Sequence, residues 1–123
     1  MDIINRDRVT AFTTKDSSTI REILAPRNSC IVRQSLAEAT LGPGASTQAH
    51  FHPDTEEIYY VLHGSGTMAI ADERCSVGAG DAIAIRAGDR HQILNTGPED
   101  LVFLCCCVPA YTDSDTVMCD SLL

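Results

Sequence analysis

Six clusters of turn-forming residues divide most of this 123-residue chain into apolar pieces too short to be helices. Gly42-Pro43-Gly44, Gly64-Ser65-Gly66, Ala71-Asp72-Glu73, Gly78-Ala79-Gly80, Ala87-Gly88-Asp89 and Thr96-Gly97-Pro98 all read as turns. Glycine reaches positive φ without steric cost, proline presets its own φ, and Asp or Asn side chains bond to nearby backbone. Between the turns lie candidate strands at Ile31–Leu41, Gln48–His52, Ile58–His63, Thr67–Ala71, Asp81–Ile85, His91–Asn95 and Leu101–Val108. Many short strands at close spacing imply an all-β, antiparallel architecture, closed or folded into two sheets. A short helix is expected only around Ser18–Leu24, and Tyr111–Leu123 has no periodicity and is free to wrap the domain or a neighbouring subunit. With no internal repeat, low-complexity run or linker, residues 1–123 read as one domain.

Charge narrows the partners. Seventeen acidic against nine basic residues give a net charge of −8, the wrong sign for a phosphate backbone. Trp is absent and aromatics are few, so no base-stacking platform is expected either. The opening Met1-Asp2-Ile3-Ile4-Asn5-Arg6-Asp7 is charged and lacks the apolar core of a secretory signal. The most apolar stretch, Leu101–Val108, falls far short of the ~18–20 residues that span a bilayer. The expectation is a cytoplasmic protein with no membrane or nucleic-acid partner. Its six cysteines (Cys30, Cys75, Cys105, Cys106, Cys107 and Cys119) have no disulfide-framework spacing and are expected to be thiols.

The chemistry concentrates in two segments. His50 and His52 stand two apart, and on a strand such residues project from one face. Glu57 follows five positions later, and His91 lies in a second segment that runs Gly80, Gly88, His91, Asn95. Neutral imidazoles and a carboxylate suit first-row divalent metals. Three His and one Glu would leave such an ion near +1, with two of six positions open to substrate, dioxygen or water. Glu56 competes with Glu57 for the carboxylate role.

These segments resemble the two signature motifs of the cupin superfamily. The first motif reads Gly, five residues, His-x-His, three or four residues, Glu, six residues, Gly, and is met here over residues 44–64 by Gly44, His50, His52, Glu57 and Gly64. The second, Gly, five residues, Pro-x-Gly, two residues, His, three residues, Asn, is met over residues 80–95 by Gly80, Gly88, His91 and Asn95, with Arg86 in place of Pro. The resemblance implies a jelly-roll β-barrel with a metal inside its mouth, held by His50, His52, Glu57 and His91, and a homodimer formed through edge strands. The interval to Gly64 selects Glu57 over Glu56. Another departure is His63, where relatives often carry an acidic residue.

Other residues carry weaker expectations. By strand alternation Gln48 shares a face with His50 and His52, and Tyr59 shares one with Glu57; either could orient a ligand or touch substrate. No second carboxylate can be placed as a general base, so Tyr59 and His63 are the candidates for proton transfer. Arg86 is a candidate anchor for a substrate carboxylate, against a plain solvated charge. Asp54 and Glu56 are expected to form an acidic rim. Alternation puts Cys105 and Cys107 on one face with Leu101 and Phe103, where buried thiols act as small hydrophobes. Gly64-Ser65-Gly66 lacks the strand-to-helix context of a dinucleotide loop.

The functional expectation is a metal-dependent enzyme acting on a small organic molecule, most of all a non-haem oxygenase. The metal would be Fe, Mn, Ni or Co, with Zn or Cu also compatible. A metal-assisted isomerase, cyclase or decarboxylase needs the same ligands, and a module that only binds a metal or small molecule is the non-enzymatic alternative.

Overall fold

The computed structural model describes residues 1–123. Its strands in chain order are β1 (Phe12–Thr13), β2 (Thr19–Leu24), β3 (Ser35–Leu41), β4 (His50–Phe51), β5 (Glu56–His63) and β6 (Ser65–Ile70). They continue with β7 (Glu73–Gly78), β8 (Ala82–Ile85), β9 (His91–Asn95), β10 (Leu101–Val108) and β11 (Val117–Met118). Two single-turn 3₁₀ helices, Arg6–Arg8 and Asp113–Asp115, complete the elements. No helix is long and apolar enough to cross a membrane.

The strands form two antiparallel sheets. One has the order β1-β2-β3-β10-β5-β8 and the other β11-β4-β9-β6-β7. The fold is thus the expected all-β jelly roll, built as two facing sheets rather than a closed ring. β5 shows how the layering arises. Glu57, Tyr59 and Val61 are buried, while Glu56, Ile58, Tyr60 and Leu62 are exposed, the period-two pattern of a half-buried strand. Between the sheets Tyr59, Val61, Ile85, Ile93, Leu101 and Phe103 anchor an eleven-residue apolar core. Full burial of side chains this large contributes roughly 1.5–3 kcal/mol each. That core fills one part of the interior and leaves the rest to polar groups.

Ser18–Leu24 is not helical. Thr19–Leu24 is a strand paired with β3, with Ile20 opposite Ala39 and Arg21 opposite Glu38. The β-branched Thr19, Ile20 and Ile23 suit a pleated surface, and β2 covers an edge of β3 that a helix would leave open. β7 also escaped the sequence reading, because its first four residues are exposed and carry no alternation. The expected strands at 31–41 and 48–52 shorten to Ser35–Leu41 and His50–Phe51.

Gly64 explains the sharp corner by which β5 of one sheet passes into β6 of the other. Its φ is +84°, and a Cβ there would lie 2.5 Å from the Asp100 carbonyl oxygen, so no other residue fits without moving backbone. The tail from Tyr111 onward wraps its own domain: β11 pairs with β4, and the Leu122 N–H donates to the Gln92 side chain at 2.8 Å.

Candidate metal centre

The two sheets each contribute one wall of the site. β4 and β9 place His50 directly opposite His91, and His52 follows two residues after His50, so the second sheet carries the imidazoles. The first sheet supplies Glu57 on β5, with Cys107 of β10 as its cross-strand partner. His50, His52, His91 and Glu57 are all buried. One ring nitrogen from each histidine lies within 4.8 Å of the other two.

Backbone carbonyls set the imidazole tautomers. Nδ1 of His50 faces the Gln48 carbonyl at 2.8 Å, that of His52 the Asp115 carbonyl at 3.0 Å, and that of His91 the Asp89 carbonyl at 2.9 Å. A carbonyl only accepts, so Nδ1 carries the proton, and a neutral ring presents a lone pair on Nε2. Nε2 of His52 and of His91 turns toward Glu57. Its Oε1 lies 3.4 Å from Nε2 of both His52 and His91. Glu57 Oε1 and His91 Nε2 are nevertheless buried without any hydrogen-bond partner.

Lone pairs facing each other in a dry interior are costly unless a cation lies between them. Without a metal, a proton plays that part. Burial alone would raise the Glu57 carboxyl, but the facing imidazoles of His52 and His91 pull it down to about 2. Burial also works against a charged His52, yet Glu57 outweighs it and raises that imidazole above its ordinary value. His50 is pushed the other way, by burial first and then by His91, and so stands ready as a neutral ligand. Donor separations near 3.4 Å fit a shared ion with bonds of about 2.1 Å. The residues present fit a divalent transition metal: three imidazoles and Glu57 would hold it.

Beside this cluster a small cavity opens between the sheets, with about 40 Å³ free to the centre of a water molecule. Ala37, Ala39 and Phe103 line its apolar part, and Asp16, Tyr59 and Cys105 part of its polar face. A volume of that size holds a few waters or a small ligand.

The other expected site residues are placed as follows. Tyr59 is buried beside the cluster, its ring centroid 5.8 Å from that of His91. Burial and then the Glu57 charge hold its hydroxyl well above the ordinary value, so it is a hydrogen-bond donor at neutral pH rather than a base. His63 lies away from the cavity, exposed and paired with Glu99 at 2.7 Å. Gln48 is exposed and bonds Ser17 at 3.1 Å; its carbonyl, not its side chain, serves the cluster. Arg86 is 85% exposed, pairs with Asp89 and does not line the cavity. Asp54 and Glu56 are exposed.

Several participants went unseen in the sequence. Cys107 Sγ lies 3.1 Å from Glu57 Oε2. Burial and then the Glu57 charge raise both the Cys105 and Cys107 thiols. They stay protonated, and Cys107 donates to the carboxylate instead of competing for a metal. Asp115 holds His52 through its carbonyl, and its carboxylate accepts the N–H groups of Asp54 and Thr55 at 3.1 and 3.0 Å. Asp16 brings a second carboxylate, with Oδ2 3.7 Å from His50 Nε2. The alternation at Leu101–Val108 did signal that Cys105 and Cys107 point inward; nothing local signalled Asp16 or Asp115, which arrive through tertiary contacts.

Two facing antiparallel sheets with a histidine-rich pocket between them define a small β-sandwich with a candidate metal centre. Residues 37–107 match the family model for the cupin domain, and the chain belongs to that family. It is 44% identical over 110 residues to an uncharacterised protein of Methanocaldococcus jannaschii, covering 89% of this chain and 88% of that one. Among solved structures it is similar to a Thermotoga maritima protein described as a predicted oxalate decarboxylase, with TM-score 0.78, 25% identity, and 88% and 99% of the two chains covered. It is similar to the polyketide cyclase RemF of Streptomyces resistomycificus at TM-score 0.77 and 25% identity, covering 94% and 89%.

Proposed function

We infer that this protein is a metal-dependent enzyme acting on a small organic molecule. One observation carries the reading. A buried carboxylate oxygen, Glu57 Oε1, lies 3.4 Å from Nε2 of two buried imidazoles, and both it and the His91 nitrogen have no hydrogen-bond partner. A purely structural core would have satisfied them. His50, His52, His91 and Glu57 would hold the ion, and with Fe, Mn, Ni or Co it would act as a Lewis acid or activate dioxygen at its open positions.

The chain's own residues would do the rest. Nδ1 bonds to three carbonyls fix the rings, Cys107 fixes the second oxygen of Glu57, and Tyr59 offers a neutral hydroxyl beside the cavity. Ala37, Ala39 and Phe103 exclude water around the ligand, which strengthens polar contacts within it. A non-haem oxygenase is the first reading. Similarity to a polyketide cyclase and to a predicted oxalate decarboxylase supports a second, a metal-assisted cyclase or lyase without net oxidation. The exposed Ile58, Tyr60 and Leu62 on the outer face of β5 would suit a second copy, in keeping with a homodimer.

The test is turnover of 1,3-dicarbonyl and catechol-like compounds by protein loaded with Fe(II) or Mn(II), with an oxygen electrode in the cell. Oxygen uptake dependent on His50 supports the oxygenase; product without oxygen uptake supports the second reading. Tight binding with no turnover under any metal would leave a binding module.

A further inference from the structure

Asp16 brings a carboxylate to the histidine cluster from outside the two motif segments. It sits in the turn between β1 and β2, where Thr14 and Ser18 clamp a single oxygen. Oδ1 accepts from the Thr14 hydroxyl at 2.5 Å, the Ser18 N–H at 3.0 Å and the Ser18 hydroxyl at 2.6 Å. Oδ2 takes part in none of these bonds and faces His50 Nε2 at 3.7 Å. The turn is tied to the ligand segment as well: the Asp16 carbonyl accepts the Gln48 N–H at 2.7 Å, and the Gln48 carbonyl in turn receives His50 Nδ1. One oxygen is locked and the other is left free at the cavity wall.

Charge gives that free oxygen a meaning. The cavity wall includes Asp16, Glu22 and Glu57 but no Lys or Arg, and Glu22 is already paired with Arg27. A divalent ion among neutral imidazoles and Glu57 alone would present a net charge of +1 and attract anions. With Asp16 beside it the sum is zero. The unpartnered, buried Glu57 Oε1 and His91 Nε2 show independently that a ligand belongs at this spot.

We propose that Asp16 is a specificity-determining residue that makes the loaded site electrically neutral, so that it selects uncharged, hydrogen-bond-donating small molecules and rejects carboxylate anions. This rests on the metal-dependent reading above and adds the substrate class to it. An incoming anion meets Asp16 in a site shielded from solvent, where like charges repel far more than in water. An uncharged hydroxyl or amide instead finds an acceptor in Oδ2. Asp16 thereby separates this site from one built for oxalate, although the chain is 40% identical over 68 residues to an oxalate-binding protein of Thermotoga maritima, covering 55% of this chain.

The test compares Co(II)-loaded wild type with Asp16→Asn, in which the amide keeps the clamped oxygen and removes the charge. Each is titrated with oxalate, a dianion, and with oxamide, its uncharged analogue, following the cobalt visible spectrum. The expected result is oxalate affinity raised by at least about tenfold in Asp16→Asn, with oxamide affinity unchanged or lowered. Equal oxalate affinity in the two proteins would overturn the proposal. So would loss of cobalt from Asp16→Asn alone, which would make Asp16 a required ligand. Failure of the wild type itself to take up cobalt would overturn the metal reading beneath it. Asp16→Ser provides the same comparison should the asparagine disturb the turn.

Discussion

The backbone N–H of Gly88 donates to the carbonyl of His52 at 2.8 Å. The turn that leads to the third histidine is thereby fastened to the pair that comes first. The same turn supplies the Asp89 carbonyl that orients His91. Arg86 stands where family members carry proline and pairs with Asp89. The ion pair bridges the turn that proline would otherwise stiffen, which accounts for Arg86 without any part in the cavity.

Gly88 has φ +84°, and a Cβ added there would meet open space, so Gly88→Ala costs only backbone conformation. Thermal unfolding should show a loss of about 1–2 kcal/mol. Cobalt titration should show weaker binding, because the turn that orients His91 has shifted.

How far this was readable from the chain follows from where each restraint originates. Strand alternation exposed Ile58–His63 because burial along β5 is one-sided and periodic, whereas His91–Asn95 and Leu101–Val108, buried on both faces or only loosely alternating, were bounded by their turns. β2 was misread because Ser18–Leu24 mixes charged and β-branched residues, and only the open edge of β3 decides the matter. The imidazole cluster was legible since strand geometry alone aligns His50 with His52. Gln48 was not. It lies before β4, where alternation no longer applies, and its side chain goes to Ser17. Asp16 and Asp115 reach the site from 34 and 63 residues away in sequence, respectively from His50 and His52, and no local pattern encodes such approaches.

Asp115 joins the tail to the metal centre. Asp115→Ala removes the acceptor for the Asp54 and Thr55 N–H groups and loosens the segment whose carbonyl orients His52. Metal affinity should fall about 10–100-fold, as for other groups that position ligands, with a stability loss of about 1–3 kcal/mol. Equilibrium dialysis and denaturant unfolding measure the two. Unchanged affinity would mean that His52 is oriented by other contacts.

The cysteine run should divide by which thiol bonds Glu57. Cys105→Ser and Cys106→Ser should leave metal content unaltered, since neither thiol contacts Glu57. Cys107→Ala removes the donor to Glu57 Oε2, and affinity should drop by about tenfold, the effect of one hydrogen bond to a charged group. Metal analysis of the three purified variants checks this ordering.

Metal uptake should release a proton. Glu57 outweighs burial and raises His52 above its ordinary pKa, so below that raised value the metal-free protein holds a proton there that an ion must displace. The sign follows: affinity falls as pH drops through and below the raised His52 value, and is insensitive to pH well above it. Calorimetry in buffers of differing ionisation enthalpy should count a proton release that grows toward one as pH falls below the raised His52 value. Zero release would show that His52 is neutral before binding.

The most direct measurement is element-resolved anomalous diffraction from crystals of protein purified without chelator. One transition-metal peak should lie within about 2.0–2.2 Å of Nε2 of His50, His52 and His91 and of a Glu57 carboxylate oxygen. An imidazole cluster without such a peak, in crystals also soaked in cobalt, would contradict the metal centre.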